Sequence, residues 1–260
     1  MISPSAAIDI SVDNHVHSRL CHHAMGEMEE YVLAGLGAGL KKIIFLEHFE
    51  IEIKYFESTW LREDEFAGYH REGCRLSEKY QGKIEIGTGV EVGVNPDRLP
   101  ETIDFLIKFK WDRIGLSYHY LDTGDGHVNM VSRRPENIAL MEKIGVEKVA
   151  AAYFTGLQKA LAIIPADVVC HLDAVLRHCP SFSFSQEHFE KVHEILMVMG
   201  AKDIALEVNT SGFVLRNEPF PAVRILKQAQ KMGVGLLAGS DAHRPEDVGR
   251  YFDRLPLLLD

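Results

Sequence analysis

His15-Val16-His17 near the start of the chain and Asp241-Ala242-His243 near its end each place two metal-type ligands at alternate positions. Residues two apart on an extended segment share a face, so each pair can aim both side chains into one cavity. More donors of the same kind recur between the two ends: Glu47 with His48, Glu91, His119 and His171, each at the end of a short apolar run. Glu91 stands inside the apolar run Thr88-Gly89-Val90-Glu91-Val92-Gly93, where burying an unpaired carboxylate is costly unless a cation compensates it. A mixture dominated by imidazole suits zinc, manganese or iron better than the all-oxygen shells of calcium or magnesium.

The elements that must position these residues follow from hydrophobic periodicity. Short runs rich in Ile, Val, Leu and Phe predict strands over 8–17, 42–47, 84–91, 113–119, 167–171, 204–209 and 235–240. Amphipathic patterns predict helices over 27–40, 62–80, 100–109, 135–163, 185–199 and 219–231, several opened by Pro or Ser and closed by glycines such as Gly200 and Gly233. Strand and helix alternate throughout, as in parallel βα units. No repeat, low-complexity tract or linker interrupts them, so a single domain over 1–260 is expected. Seven such units suit a closed or nearly closed barrel better than an open doubly wound sheet, and the metal-type residues then gather at the C-terminal rim where barrel active sites are built.

Bulk properties narrow the function classes. A net charge of −10 argues against a partner held by the nucleic-acid backbone. Four cysteines without Cys-x-x-Cys spacing make no disulfide framework and fit a reducing, cytoplasmic location. The start, Met1-Ile2-Ser3-Pro4-Ser5, reads as carrying no targeting signal, and no apolar run is long enough to span a membrane. There is no Gly-x-x-x-x-Gly-Lys-Ser/Thr phosphate loop.

With His15-Val16-His17, Leu46-Glu47-His48, Gly89-Val90-Glu91, Ser117-Tyr118-His119, Cys170-His171-Leu172-Asp173 and Gly239-Ser240-Asp241-Ala242-His243 in this order, the chain resembles the PHP (polymerase and histidinol phosphatase) superfamily. Cys21-His22-His23, Tyr118-His119-Tyr120-Leu121-Asp122 and Glu207-Val208-Asn209-Thr210-Ser211-Gly212 look most like its stand-alone histidinol-phosphatase branch. The resemblance implies a distorted (β/α)7 barrel, similar to a TIM barrel, that holds up to three divalent metal ions (zinc, manganese or iron). His15, His17, Glu91 and Asp241 resemble the first metal site. Glu91 would bridge to a second, completed by His119 and His171, and His23, His48 and His243 resemble the third. The family's spacing of six residues after the second His of His-x-His selects His23 over His22.

The implied activity is metal-dependent hydrolysis of a small-molecule phosphate ester, L-histidinol phosphate first, by a metal-bound hydroxide at a trinuclear site. Asp241 or His243 would relay a proton to the leaving group. Arg177 is the leading phosphate anchor, ahead of Arg19, Arg216 and Arg244. Here the chain departs from the branch it resembles: the arginine usually comes five residues beyond the His of His-Leu/Ile-Asp, whereas Leu176 stands there and Arg177 comes six beyond His171. His70, His188 and His193 read as surface or packing residues, and His127 and His178 as loop residues that could touch substrate. The alternatives are hydrolysis of another phosphomonoester or a nucleotide phosphodiester, a non-catalytic metal-binding module, and an amide-cleaving amidohydrolase.

Overall fold

Seven of the apolar runs form parallel strands in the computed structural model, which describes residues 8–259. They are β1 (Val12–Val16), β2 (Lys42–Glu50), β3 (Glu85–Gly93), β4 (Ile114–Ser117), β7 (Val168–Val169), β8 (Ala205–Asn209) and β9 (Leu236–Gly239), hydrogen-bonded in that order. Between β4 and β7 lies an antiparallel hairpin, β5 (Tyr120–Asp122) and β6 (His127–Asn129). The segment Met1–Ser5, and with it the expectation about targeting, falls outside the described residues.

The sheet curls until its first and last strands meet. His17 donates its amide to the Ala242 carbonyl at 2.9 Å and Asp241 donates to His15 at 2.8 Å. Below them the Asn14 amide group reaches the Ala238 carbonyl at 2.8 Å, and the Ser240 amide reaches Asp13 Oδ1 at 2.9 Å. The result is the nearly closed barrel expected of seven βα units.

Strand parity divides the barrel interior into an apolar floor and a polar rim. Ile44 and Leu46 of β2, Val168 and Cys170 around β7, and Ala205 of β8 pack together as one inner cluster. Two residues further along the same faces of β2 and β8 come His48 and Glu207 in place of hydrophobes, and His171 follows Cys170 directly beyond β7. On β3 the residues sharing a face with Glu91 are Gly87, Gly89 and Gly93. A Cβ on Gly89 would meet Leu46 and the Arg113 carbonyl, and one on Gly93 would meet the Glu50 carboxylate. Bare backbone on β3 thus lets its neighbours fill the barrel while Glu91 alone projects into it.

The helices α1 (Met28–Gly37), α2 (Phe66–Lys79), α3 (Leu99–Leu106), α4 (Pro135–Ile144), α5 (Val146–Ile163), α6 (Gln186–Lys202), α7 (Gly212–Arg216) and α8 (Val223–Lys231) link the strands. Most of the larger apolar cluster lies between them and the sheet. No described helix is long and apolar enough to cross a membrane.

Two elements differ from the sequence expectation for local reasons. The helix expected over 135–163 breaks at Gly145, whose φ of 101° lies outside the range other residues adopt readily. Strand β2 runs on to Glu50, paired with Gly93, so Glu47 and His48 lie within the strand rather than at its tip. Being adjacent, they face opposite sides. Glu47 turns away from the rim and accepts from the Ser18 amide at 2.8 Å and hydroxyl at 2.5 Å.

Candidate metal centre

Glu91 is fully buried and its two oxygens face two different groups of histidines. Oε1 lies 2.9 Å from His171 Nε2 and 3.3 Å from His119 Nε2. Oε2 lies 2.9 Å from His48 Nδ1, 3.3 Å from His15 Nε2 and 3.5 Å from His17 Nε2. Asp241 Oδ1 stands 3.3 Å from His17 Nε2 and 3.8 Å from His15 Nε2, while those two nitrogens are 2.9 Å apart. Four donors at such separations approximate the corners of a tetrahedron, and bonds of about 2.0–2.2 Å to a central zinc-like ion imply edges of about 3.3–3.6 Å.

The remaining histidines adjoin this group. His17 stacks on His48 with ring centroids 4.2 Å apart, and the ligand atoms of His17, His48 and His243 lie within 4.8 Å of one another. His23 and His243 bring their Nε2 atoms to 2.7 Å. His22, its neighbour in sequence, turns outward toward Glu65. The structure therefore brings together His15, His17, His23, His48, Glu91, His119, His171, Asp241 and His243 at one end of the barrel.

Whether these side chains suit a cation can be judged from their unmet bonding. His48 Nδ1 and Glu91 Oε2 approach to 2.9 Å, yet both are buried without a hydrogen bond, as are His17 Nδ1 and His171 Nδ1. Burial, then the neighbouring His48 and His243, holds His17 well below the usual imidazole pKa. Burial likewise lowers His48 and His243, and with the same neighbours pushes His23 down to about 3. These imidazoles are neutral near pH 7 and present lone pairs. Burial opposes charge on Glu91 and Asp241 too, but the surrounding histidines keep both carboxyls well below their usual range and so ionised. Neutral imidazoles around buried carboxylates are the donor set a divalent transition-metal ion requires.

Two further carboxylates orient ligands. Glu207 Oε1 lies 2.6 Å from His15 Nδ1, and its Oε2 accepts the His171 amide at 2.8 Å. Glu50 Oε1 lies 2.8 Å from His119 Nδ1. Burial opposes protonation of these two rings, but Glu207 with Glu91 raises His15 well above its usual pKa, and Glu91 with Glu50 raises His119 to about 10. Each carboxylate fixes the ring proton on Nδ1 and turns Nε2 toward the cluster. Backbone carbonyls do the same elsewhere, Cys21 for His23 and Asp241 for His243, both at 3.0 Å. Both orienting carboxylates press on glycines, since a Cβ on Gly239 would land on Glu207 as one on Gly93 would on Glu50.

Sequence reasoning met Glu207 only within a family-like motif and passed over Glu50. Strand parity was the available signal, since Glu50 shares a face with His48. The backbone itself is strained here: His171 and Asp241 adopt φ of 27° and 51°. Non-glycine residues enter this region at a cost of about 1–3 kcal/mol, a pattern concentrated at functional sites.

A narrow cavity reaches the cluster past Thr59, Tyr120, Asn129 and Arg177. Leu176 takes the left-handed conformation, φ 57°, with its amide bonded to the Met130 carbonyl, and Arg177 faces the cavity. The other arginines considered from sequence lie elsewhere. Arg19 pairs with Glu27 at the surface, Arg244 is exposed, and Arg216 holds Asp173 at 2.9 Å and stacks on Phe220. Arg133, Arg134 and Arg250, which sequence did not single out, line a broader cavity outside the first, together with His178. His127 accepts the Lys54 amide in the hairpin, His70 packs on Phe109, and His188 caps α6 through Ser185. His193 meets Gln228 at the surface.

Residues 13–211 match the family model described as the PHP domain, and residues 224–254 match one described as PHP-associated. A "Probable histidinol-phosphatase" of Deinococcus radiodurans is 27% identical over 253 residues, covering 95% of this chain and 92% of the relative. The histidinol-phosphatase of Bacillus subtilis is 26% identical over 260 residues, covering 93% and 96%. In three dimensions the chain is similar to the crystal structure of histidinol phosphate phosphatase from Lactococcus lactis complexed with zinc, L-histidinol and phosphate. The TM-score is 0.78 at 22% identity, with 95% of this chain and 92% of that one covered.

Proposed function

The chain belongs to the PHP domain family, and from that premise we propose that it is a metal-dependent phosphomonoesterase that hydrolyses L-histidinol phosphate to L-histidinol and phosphate. One observation carries the reading: a buried Glu91 whose two oxygens face separate groups of histidines, His119 with His171 and His15 with His17 and His48. The histidinol-phosphatase names of the relatives, and the zinc, L-histidinol and phosphate in the Lactococcus complex, support the choice of substrate.

On this reading His15, His17, Glu91 and Asp241 hold one ion. Glu91, His119 and His171 hold a second, and His23, His48 and His243 a third. Divalent ions there would supply Lewis acidity, neutralising phosphoryl charge and making water nucleophilic near neutral pH. The protein's own groups do the rest. Arg177, partly buried and free of any carboxylate within ion-pair distance among the described residues, donates to the phosphoryl oxygens. Thr59, Tyr120 and Asn129 offer hydrogen-bonding groups to the alcohol portion of the ester. Asp241 or His243, both at the cavity wall, would relay a proton to the departing alkoxide where it is not fully committed to an ion.

The test is turnover of L-histidinol phosphate by protein stripped with a chelator and then reconstituted with Mn²⁺, Zn²⁺ or Fe²⁺. Activity should fall to background on stripping and return with metal. Full activity in the stripped protein would overturn the mechanism, and cleavage of other phosphomonoesters but not this one would overturn the substrate. A second result is expected from Arg177→Ala: a KM raised about tenfold, the value of one charge-assisted hydrogen bond, with a smaller change in kcat. An unchanged KM would remove Arg177 from the phosphate site.

A further inference from the structure

Outside the histidine cluster the cavity widens to about 730 Å³, and its wall carries four guanidinium groups, those of Arg133, Arg134, Arg177 and Arg250. Asp241, already committed to the cluster, is the one carboxylate residue on that wall among the described residues. Two of the arginines have a carboxylate partner outside the cavity, and the exposed pair of Arg134 with Glu57 uses one guanidinium nitrogen and leaves the others free to donate. Arg134 reaches Glu57 at 2.8 Å and lies over the Phe56 ring, and Arg250 meets Asp247 at 3.2 Å. Arg133 and Arg177 have no carboxylate within ion-pair distance among the described residues, and Arg177 spends one donor on the Val131 carbonyl at 3.1 Å. His178 adds no further positive charge, because burial, then Arg177 and Arg133, hold its imidazole neutral, down to about 4.

A chain with a net charge of −10 thus keeps uncompensated arginines at the mouth of its cavity. Low-dielectric walls focus such a field on whatever occupies the opening. The inner arginine, Arg177, lines both the narrow and the broad parts of the cavity, whereas Arg133 and Arg134 line only the broad part. An ester whose phosphoryl group sits at the histidines would leave its far end beside Arg133 and Arg134.

We propose that this outer wall binds a second anionic group, so that the site also accepts phosphomonoesters carrying a distal carboxylate or a second phosphoryl group, held by Arg133 with Arg134. The inference rests on the reading above only in placing one phosphoryl group at the histidine cluster. It goes beyond L-histidinol phosphate, which has no second anion to offer these arginines.

Calorimetric titration of the metal-loaded protein with alkylphosphonates of matched chain length, at low ionic strength, tests it. The tails are a carboxylate, a second phosphonate or a hydroxyl. An anionic tail should improve affinity about tenfold over the hydroxyl, and whichever anionic tail wins separates carboxylate from phosphoryl recognition. In the double variant Arg133→Ala with Arg134→Ala the advantage should shrink to about twofold or less. Equal affinity for all three tails, or an advantage that survives the double substitution, overturns the proposal. The readout is binding of compounds that cannot be hydrolysed, so failure to turn over L-histidinol phosphate would sink the earlier reading and leave this one intact.

Discussion

Glu91→Gln should lower turnover of the best phosphomonoester by about 10³-fold or more, roughly 4 kcal/mol of barrier, and should reduce the metal content of the purified protein. The substitution keeps the shape of the side chain and removes its charge. In the native cluster one carboxylate faces five imidazole nitrogens, with Oε1 toward His119 and His171 and Oε2 toward His15, His17 and His48. A glutamine oxygen can face one of those groups, but its NH₂ then points at nitrogens whose lone pairs should face a cation. Metal analysis by mass spectrometry, alongside the melting temperature, separates loss of ions from loss of fold. A Glu91→Gln protein with full metal content and near-native turnover would end the bridging assignment.

Glu207→Ala should weaken metal binding at the His15 site by about 10–100-fold, the usual cost of losing a carboxylate that orients a ligating histidine. Glu207 touches no ion on the present reading, so its loss should appear as a higher dissociation constant, with much of the turnover recovered at saturating metal. Gly239→Ala should reproduce the effect by another route, because the new methyl would occupy the space of the Glu207 carboxylate. Metal affinity unchanged in Glu207→Ala would show that His15 needs no partner at Nδ1.

The strands were legible in the chain because their inner faces are so uniform. Apolar floor residues followed at the same parity by histidine or carboxylate make the pattern of β2 and β8 visible without coordinates. The hairpin β5–β6 escaped notice because three-residue strands are too short to show alternation, even though Gly124 and Gly126 marked a turn. Gly145 was visible as a glycine, but only its φ of 101° shows that it ends one helix and begins another.

The ligand-type residues were conspicuous for a chemical reason: histidine at a strand end is seldom favoured by packing. Glu50 and Glu207 were not, since a carboxylate that orients a ring has the same one-dimensional signature as one that faces solvent. Arg133, Arg134 and Arg250 sit in loops with no periodicity, and only the fold shows that they share a wall with Arg177. At the departure in sequence, Leu176 takes a left-handed backbone and Arg177 lines the cavity.

The contact between β1 and β9 also has a meaning for how the molecule assembles. Its bonds join residues as far as 227 positions apart, from Asp13 to Ser240, almost the full described length. Such contacts demand a loop closure over most of the chain and reward it only when nearly everything between has folded. The histidine cluster straddles this seam, with His15 and His17 on one side and Asp241 and His243 on the other. An ion shared across it, as proposed, would be a non-covalent cross-link between the two ends of the polypeptide, and its binding energy would add to the stability of the closed barrel alone. On the proposed metal assignment, catalytic competence and completion of the fold would be the same event.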